Sequence, residues 1–279
     1  MALKKVNSVS GIPLHYARTT AHPYGTRGVR TTFRMTKDFY ATLKACFDET
    51  FAACPLGKPE VMTSAGAFVD KPGSHGRGEA FDIDGLFWSD YSMMTLNFPT
   101  NVELYLGIES FLRRHFGIVL NYEYNRAHED HWHIDTSVST SYSKRSRSKT
   151  LYLQLTLKHI YGQNVVIDGI YGPQTRGAYN RIMEQLGQPE GMRKAEWLNY
   201  LKLTGHVAFR LFEEKTSPRN LFANAYEIAG QQTGVAARRL MEALNTFRDH
   251  PETTAWLGEM KTDEEILAEV IREVVDVYG

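Results

Sequence analysis

At 279 residues, with 42% hydrophobic and 23% charged residues, the chain has the length of about two domains and enough apolar material for ordinary cores. That excludes a disordered, collagen-like or disulfide-scaffold protein. The 32 Lys and Arg cancel the 32 Asp and Glu, so there is no overall basic footprint for nucleic acid and any polyanion contact has to be local. The first 14 residues lack the apolar run of a signal peptide, and no window approaches the ~20 apolar residues of a membrane span. Synthesis in the cytoplasm without a signal peptide is therefore expected, and work outside the membrane would need release or delivery.

In chain order, residues 36–53 place Phe39, Tyr40, Leu43, Ala45, Cys46 and Phe47 at helical spacing, with Thr36 as N-cap and Pro55 and Gly57 as the stop. Val61–Thr63 predicts a strand entering a turn at Ser64–Gly66. Ala80–Asp84 alternates like a strand and ends at Gly85. Residues 101–116 are again helical, and Ile118–Leu120 and His131–Ile134 are short strands. Cys46 and Cys54, eight apart, form no framework and are expected to be idle, buried thiols. Residues 139–150 are serine-rich and basic, and 141–149 is taken as a linker. Downstream the pattern is helical: 151–160, 175–186, and a tail from Thr262, where Thr262–Glu265 is a capping box and Ile266, Leu267, Val270, Ile271, Val274, Val275 and Tyr278 form one stripe. Between them, Trp197, Tyr200, Phe209, Phe212, Phe222 and Tyr226 are expected to fill a helical core. The fold class expected is an α+β domain with a small antiparallel sheet, followed by an all-α region.

Four of the ten histidines fall in two short segments, Ser74–Gly85 and Ala127–Asp135. Together they offer imidazoles and carboxylates of the kinds that bind zinc. His131 and His133, two apart on a strand, share a face, as do Asp82 and Asp84. His75 precedes a glycine-containing turn that can bring it beside Asp82. His75, Asp82 and His133 would leave one tetrahedral position open, which distinguishes a catalytic zinc from a structural one. Trp132 points the other way and is expected in the core. Asp84 and Asp135 are expected as hydrogen-bond acceptors, and His128 and Glu129 as flanking residues.

The pattern His75-x-x-Gly78-x-Ala80-x-Asp82, followed by Asp130-His131-Trp132-His133, resembles the zinc D-Ala-D-Ala carboxypeptidase and L-alanyl-D-glutamate endopeptidase superfamily. It is most similar to the extensin-like and phage-endolysin branches. Two motifs in this order, about 50 residues apart, are more specific than either alone. The resemblance implies a zinc-peptidase fold over residues 1–140, Zn2+ on His75, Asp82 and His133, Asp130 as acid/base, and His131 as a polar neighbour of the oxyanion. Many members also carry an arginine just after the strand before the first ligand. That stretch here is Ala65–Lys71, leaving Lys71 and Arg77 as candidates for substrate binding.

Residues 150–190 contain Asp168-Gly169-x-Tyr171-Gly172-Pro173-x-Thr175, which resembles the small three-helix peptidoglycan-binding domain found beside wall hydrolases. Asp168-Gly169 gives a tight turn and Gly172-Pro173 ends a loop before a helix. Residues 191–279 match no named module and are expected as a helical C-terminal region. The function expected is a zinc-dependent peptidoglycan hydrolase cutting an amide of the stem peptide, as an endolysin or a delivered wall-lytic effector. The partners expected are peptidoglycan and a holin or delivery apparatus, with no nucleic acid and no membrane span. The rival is an inert wall-binding protein with a vestigial metal site. A fragment ending near Ser141 is expected to fold alone.

Overall fold

The computed structural model describes residues 3–217, 241, 242, 245 and 262–279; Phe222 and Tyr226 lie outside them. The fold is mixed, small sheets first and helices after. The N-terminal third carries strands β1 (Lys4–Val6), β2 (Ser8–Val9), β3 (Ile12–Tyr16), β4 (Val29–Arg30) and β5 (Phe33–Met35), then helix α1 (Lys37–Ala53) and β6 (Val61–Thr63). Next come a one-turn helix α2 (Ser74–Arg77), β7 (Ala80–Ile83), β8 (Gly85–Phe87), β9 (Ser92–Met94), α3 (Val102–His115), β10 (Ile118–Leu120) and β11 (Trp132–Asp135).

One sheet runs β2-β3-β6-β8-β9 with β4 against β3, and a second runs β10-β11-β7. The first is not wholly antiparallel as expected: β3 and β6 run parallel, because α1 carries the chain back between them. β7 and β8 are consecutive yet belong to different sheets. Asp84 sits at that switch.

The expected helices form for the expected reasons. Thr36 caps α1 by accepting from the Phe39 amide, and Thr262 and Glu265 complete the capping box of the C-terminal helix (Asp263–Tyr278). Trp132 is buried against Tyr105, ring centroids 4.3 Å apart. Cys46 and Cys54 are both free and buried.

The helical half departs from the expected boundaries. Helices α4 (Arg147–His159), α5 (Pro173–Gln185) and α6 (Lys194–Thr216) follow β11. Arg147–Lys149, expected in the linker, form the first turn of α4: serine there acts as a cap, Ser146 accepting from the Lys149 amide. Lys149 is buried, its Nζ donating to the carbonyls of Ser139 and Ser141. Residues 150–190 hold two helices, and the third that packs on them is α6, through Tyr179 against Tyr200 and the Tyr161–Thr204 hydroxyl bond.

Nor do the halves have separate cores. One apolar cluster runs from Val6 to Val274. Gly107 on α3 lies under the Phe209 ring of α6, Gly205 on α6 lies under Phe111 of α3, and Phe111 stacks on Phe209 at 5.7 Å. Two glycines facing aromatic rings let the helices approach closely, and a Cβ at Gly107 would lie 2.5 Å from the Phe209 ring. No described helix is long and apolar enough to cross a membrane.

Candidate metal centre

β7 and β11 are antiparallel neighbours with Asp82 directly opposite His133, so the two side chains share a face. His75 comes from α2. The segment carrying it is fastened to β5 and the residue after it: the Phe68 amide donates to the Arg34 carbonyl, and the Thr36 amide to the Gly78 carbonyl. Gly78 takes a left-handed conformation, φ 71°, to end α2 and turn the chain into β7.

The three side chains converge. His75 Nε2 lies 3.1 Å from His133 Nδ1 and 3.2 Å from Asp82 Oδ2, and His133 Nδ1 lies 2.9 Å from Asp82 Oδ1. Each imidazole is held through its other nitrogen. His75 Nδ1 donates to the Ala67 carbonyl at 2.5 Å, and His133 Nε2 donates to Asp135 Oδ2 at 3.2 Å. With both rings neutral, these bonds would leave lone pairs on His75 Nε2 and His133 Nδ1 aimed at one point with the Asp82 carboxylate. His75, Asp82 and His133 form a group that could hold a metal ion, and the neutral-imidazole and carboxylate donor set fits one.

The electrostatics agree. Burial works against a charged His133, but hydrogen bonds from Asp135 and Asp82 outweigh it and raise its pKa to about 9. Burial likewise opposes a charged Asp82, and the bonds from His133 and His75 still hold it well below the usual carboxylate range. The pocket favours positive charge among its donors, whether a proton or a cation.

Asp130 and His131 adjoin this group. His131 Nδ1 bonds Asp130 Oδ1 at 2.7 Å, and its Nε2 lies 3.9 Å from Asp82 Oδ1. The His128 ring lies 5.2 Å from that of His131, where burial and then the neighbouring histidines push its pKa down to about 4. Lys71 and Arg77, the expected substrate-binding cations, are not drawn in. Lys71 is exposed, and Arg77 turns outward to Glu79 and Ser74. A cation at Arg77 leaves the site because α2 presents His75 and Arg77 on different sides of a single turn.

The cation that is drawn in is Arg18, in the loop after β3. Its Nε and Nη2 grip both oxygens of Asp84 at 2.9 and 2.8 Å, and its Nη1 donates to Asp130 Oδ2 at 2.8 Å. Tyr24 Oη donates to the Asp130 carbonyl at 2.9 Å. Asp84, fully buried, is thus the acceptor that anchors Arg18. Burial opposes the charge on Asp130, but Arg18 and His131 outweigh it and hold its pKa below the ordinary value.

Residues 63–144 match the family Extensin-like protein C-terminus. The match spans His75, Asp82, Asp130, His131 and His133 and ends just before α4. Arg18 lies outside it. No curated protein and no solved structure matches the chain.

The second set of predicted site residues is elsewhere, in the loop before α5, where it holds that loop together. Asp168 Oδ1 accepts from Gln154 Nε2 and the Ile170 amide, Gln154 Oε1 accepts from the Asp168 and Gly169 amides, and buried Thr175 accepts from Gln154 Nε2. Gly169 has φ 75° and Tyr171 packs on Tyr142. Gly172 caps α5.

Proposed function

We propose that the chain is a zinc-dependent peptidoglycan hydrolase that cuts an amide in the stem peptide. The observation that carries this reading is the triangle of His75, Asp82 and His133, two donors on paired strands and the third on a pinned segment, with Asp130 beside it. A zinc ion bound there supplies Lewis-acid chemistry to a carbonyl and to water. The protein's own groups do the rest. Asp130 takes a proton and returns it to the leaving amine. His131 keeps Asp130 aimed at the metal group. Arg18, with two donors spent on Asp84, holds Asp130 ionised and brings a positive charge to the edge of the site, where negative charge develops on a carbonyl oxygen. It thereby fills the role for which Lys71 and Arg77 were candidates. The unit of α4 and α5 would hold the wall and raise the local concentration of an insoluble substrate. Val166 and Ile170, 59% and 67% exposed, offer its loop an apolar contact. On this reading the protein acts on the wall after release or delivery, through a holin or an injection apparatus.

The test is release of muropeptides from purified sacculi, with and without chelator, alongside metal analysis. About one zinc per chain is expected, most of it lost in His75→Ala, with release abolished by chelator. Zinc-replete protein that binds sacculi and releases nothing would leave an inert wall-binding protein. A chain that takes up no zinc removes the reading altogether.

A further inference from the structure

Residues 1–37 hold seven of the 32 Lys and Arg and none of the Asp and Glu, so the neutral chain is divided into a basic N-terminal segment and an acidic remainder. Two of the seven are committed: Arg18 to Asp84 and Asp130, and Arg27 to Glu60. Lys4, Lys5, Arg30, Arg34 and Lys37 are exposed, and no carboxylate pairs with them among the described residues.

Their placement costs stability. Lys5 on β1 is the register partner of Arg34 on β5, so two like charges stand directly opposite on the outward face of the ribbon. Lys37 occupies the first position of α1, where the helix end is already positive. Lys4 lies 3.5 Å above the Tyr40 ring, and Arg34 lies 4.6 Å above Phe68. Beside them runs an open groove of about 410 Å³ lined by Lys4, Lys5, Asn7, Ser8, Thr32 and Tyr40. An anion lying there would meet Lys4 and Lys5, ease the repulsion between Lys5 and Arg34, and meet side-chain hydrogen-bond donors.

We propose that this face binds a flexible phosphate-bearing polymer. Phosphate is favoured because cations sit among amide and hydroxyl donors, which its several acceptor oxygens can engage together. A single flexible chain is favoured over a stiff duplex because the unpaired cations are few and lie in one short N-terminal segment, while the rest of the chain is net acidic. Binding requires neither a metal nor chemistry at His75, so it stands or falls separately from the hydrolase reading.

The experiment titrates the full chain, treated with chelator, against linear polyphosphate, poly-L-glutamate and a DNA duplex over a series of salt concentrations. Polyphosphate is expected to bind most tightly and to weaken with salt. The Lys5→Glu, Arg34→Glu double variant should bind it at least ~10-fold more weakly, with a salt slope smaller by roughly 0.7 for each phosphate it no longer neutralises. Its zinc content and thermal midpoint should stay close to wild type, since both side chains are exposed and one like-charged pair replaces another. No polyphosphate binding at low salt, undiminished binding by the variant, or tighter binding of polyglutamate or duplex would each overturn the proposal.

Discussion

Arg18 couples two carboxylates with different surroundings: one is buried and holds the arginine, the other is bonded to His131 beside the candidate metal group. Removing the guanidinium strands a fully buried Asp84 without its partner. Arg18→Ala should lose on the order of 3 kcal/mol of stability in urea unfolding, because an uncompensated buried charge costs more than the pair gains. Adding Asp84→Asn should restore much of that stability while leaving turnover impaired, since Asp130 stays unsupported. A wild-type unfolding midpoint for Arg18→Ala would show that Asp84 does not need the pairing. For Asp130, substitution by alanine should preserve zinc and fold and reduce sacculus hydrolysis by roughly 10²–10⁴-fold. Glu129→Ala should be far milder, and the reverse order would move the acid/base role to Glu129. The metal donors are legible in the sequence because two motifs with strand spacing contain them. That Asp84 serves as an acceptor is legible too, from its place on an alternating strand. Its partner is not, because Arg18 lies 66 residues upstream in a loop that carries no motif.

Helices announce themselves through caps and stripes, as at Thr36 and Thr262, because those signals are local. The short N-terminal strands do not, since two- and three-residue ladders such as β1 with β5 or β4 with β3 are made by pairing across the chain and not by periodicity. The Ser-rich segment reads as a linker throughout because the same residue types serve linkers and helix N-caps alike. At this scale the docking of the C-terminal helix on α6 is sensitive to acid. His206 stacks on Tyr278 at 3.6 Å, and burial, followed by Lys202 and Arg114, lowers its pKa to about 4, with Glu49 opposing. A histidine kept neutral in the fold but free to charge when released costs nothing above pH 6.5. As pH falls from there towards 4, the unfolded or undocked state takes up the proton that the native state refuses, so stability is lost. Urea midpoints should fall across that window in wild type and fall less steeply in His206→Asn. Parallel curves would remove His206 as the cause.

At the scale of the molecule, the sequence suggests two units joined by a linker and the structure shows one core. The composition shift at residue 139 is real, but it marks a change of secondary structure and not a gap in packing. α3 is the shared element, with α1 on one side and α6 on the other. A fragment ending at Ser141 would expose Phe111 and the narrow Gly107 face of α3 to water. It should therefore bind a hydrophobic dye and lack a cooperative thermal transition, contrary to what the sequence suggests. A sharp transition and a dispersed amide spectrum for that fragment would show that α6 is dispensable.

The same architecture sets an order of events during synthesis. Arg18 leaves the ribosome early, yet Asp130, its partner, follows 112 residues later, and the helix that covers α3 comes later still. Chains grow at roughly 5–20 residues per second, so the early arginine waits several seconds for the carboxylate it is to hold. Until Asp130 has emerged, the nascent chain therefore carries an Arg18 whose partner at the site is missing. The order of the chain thus supplies the site's cation first, and the carboxylates and histidines it serves well after it.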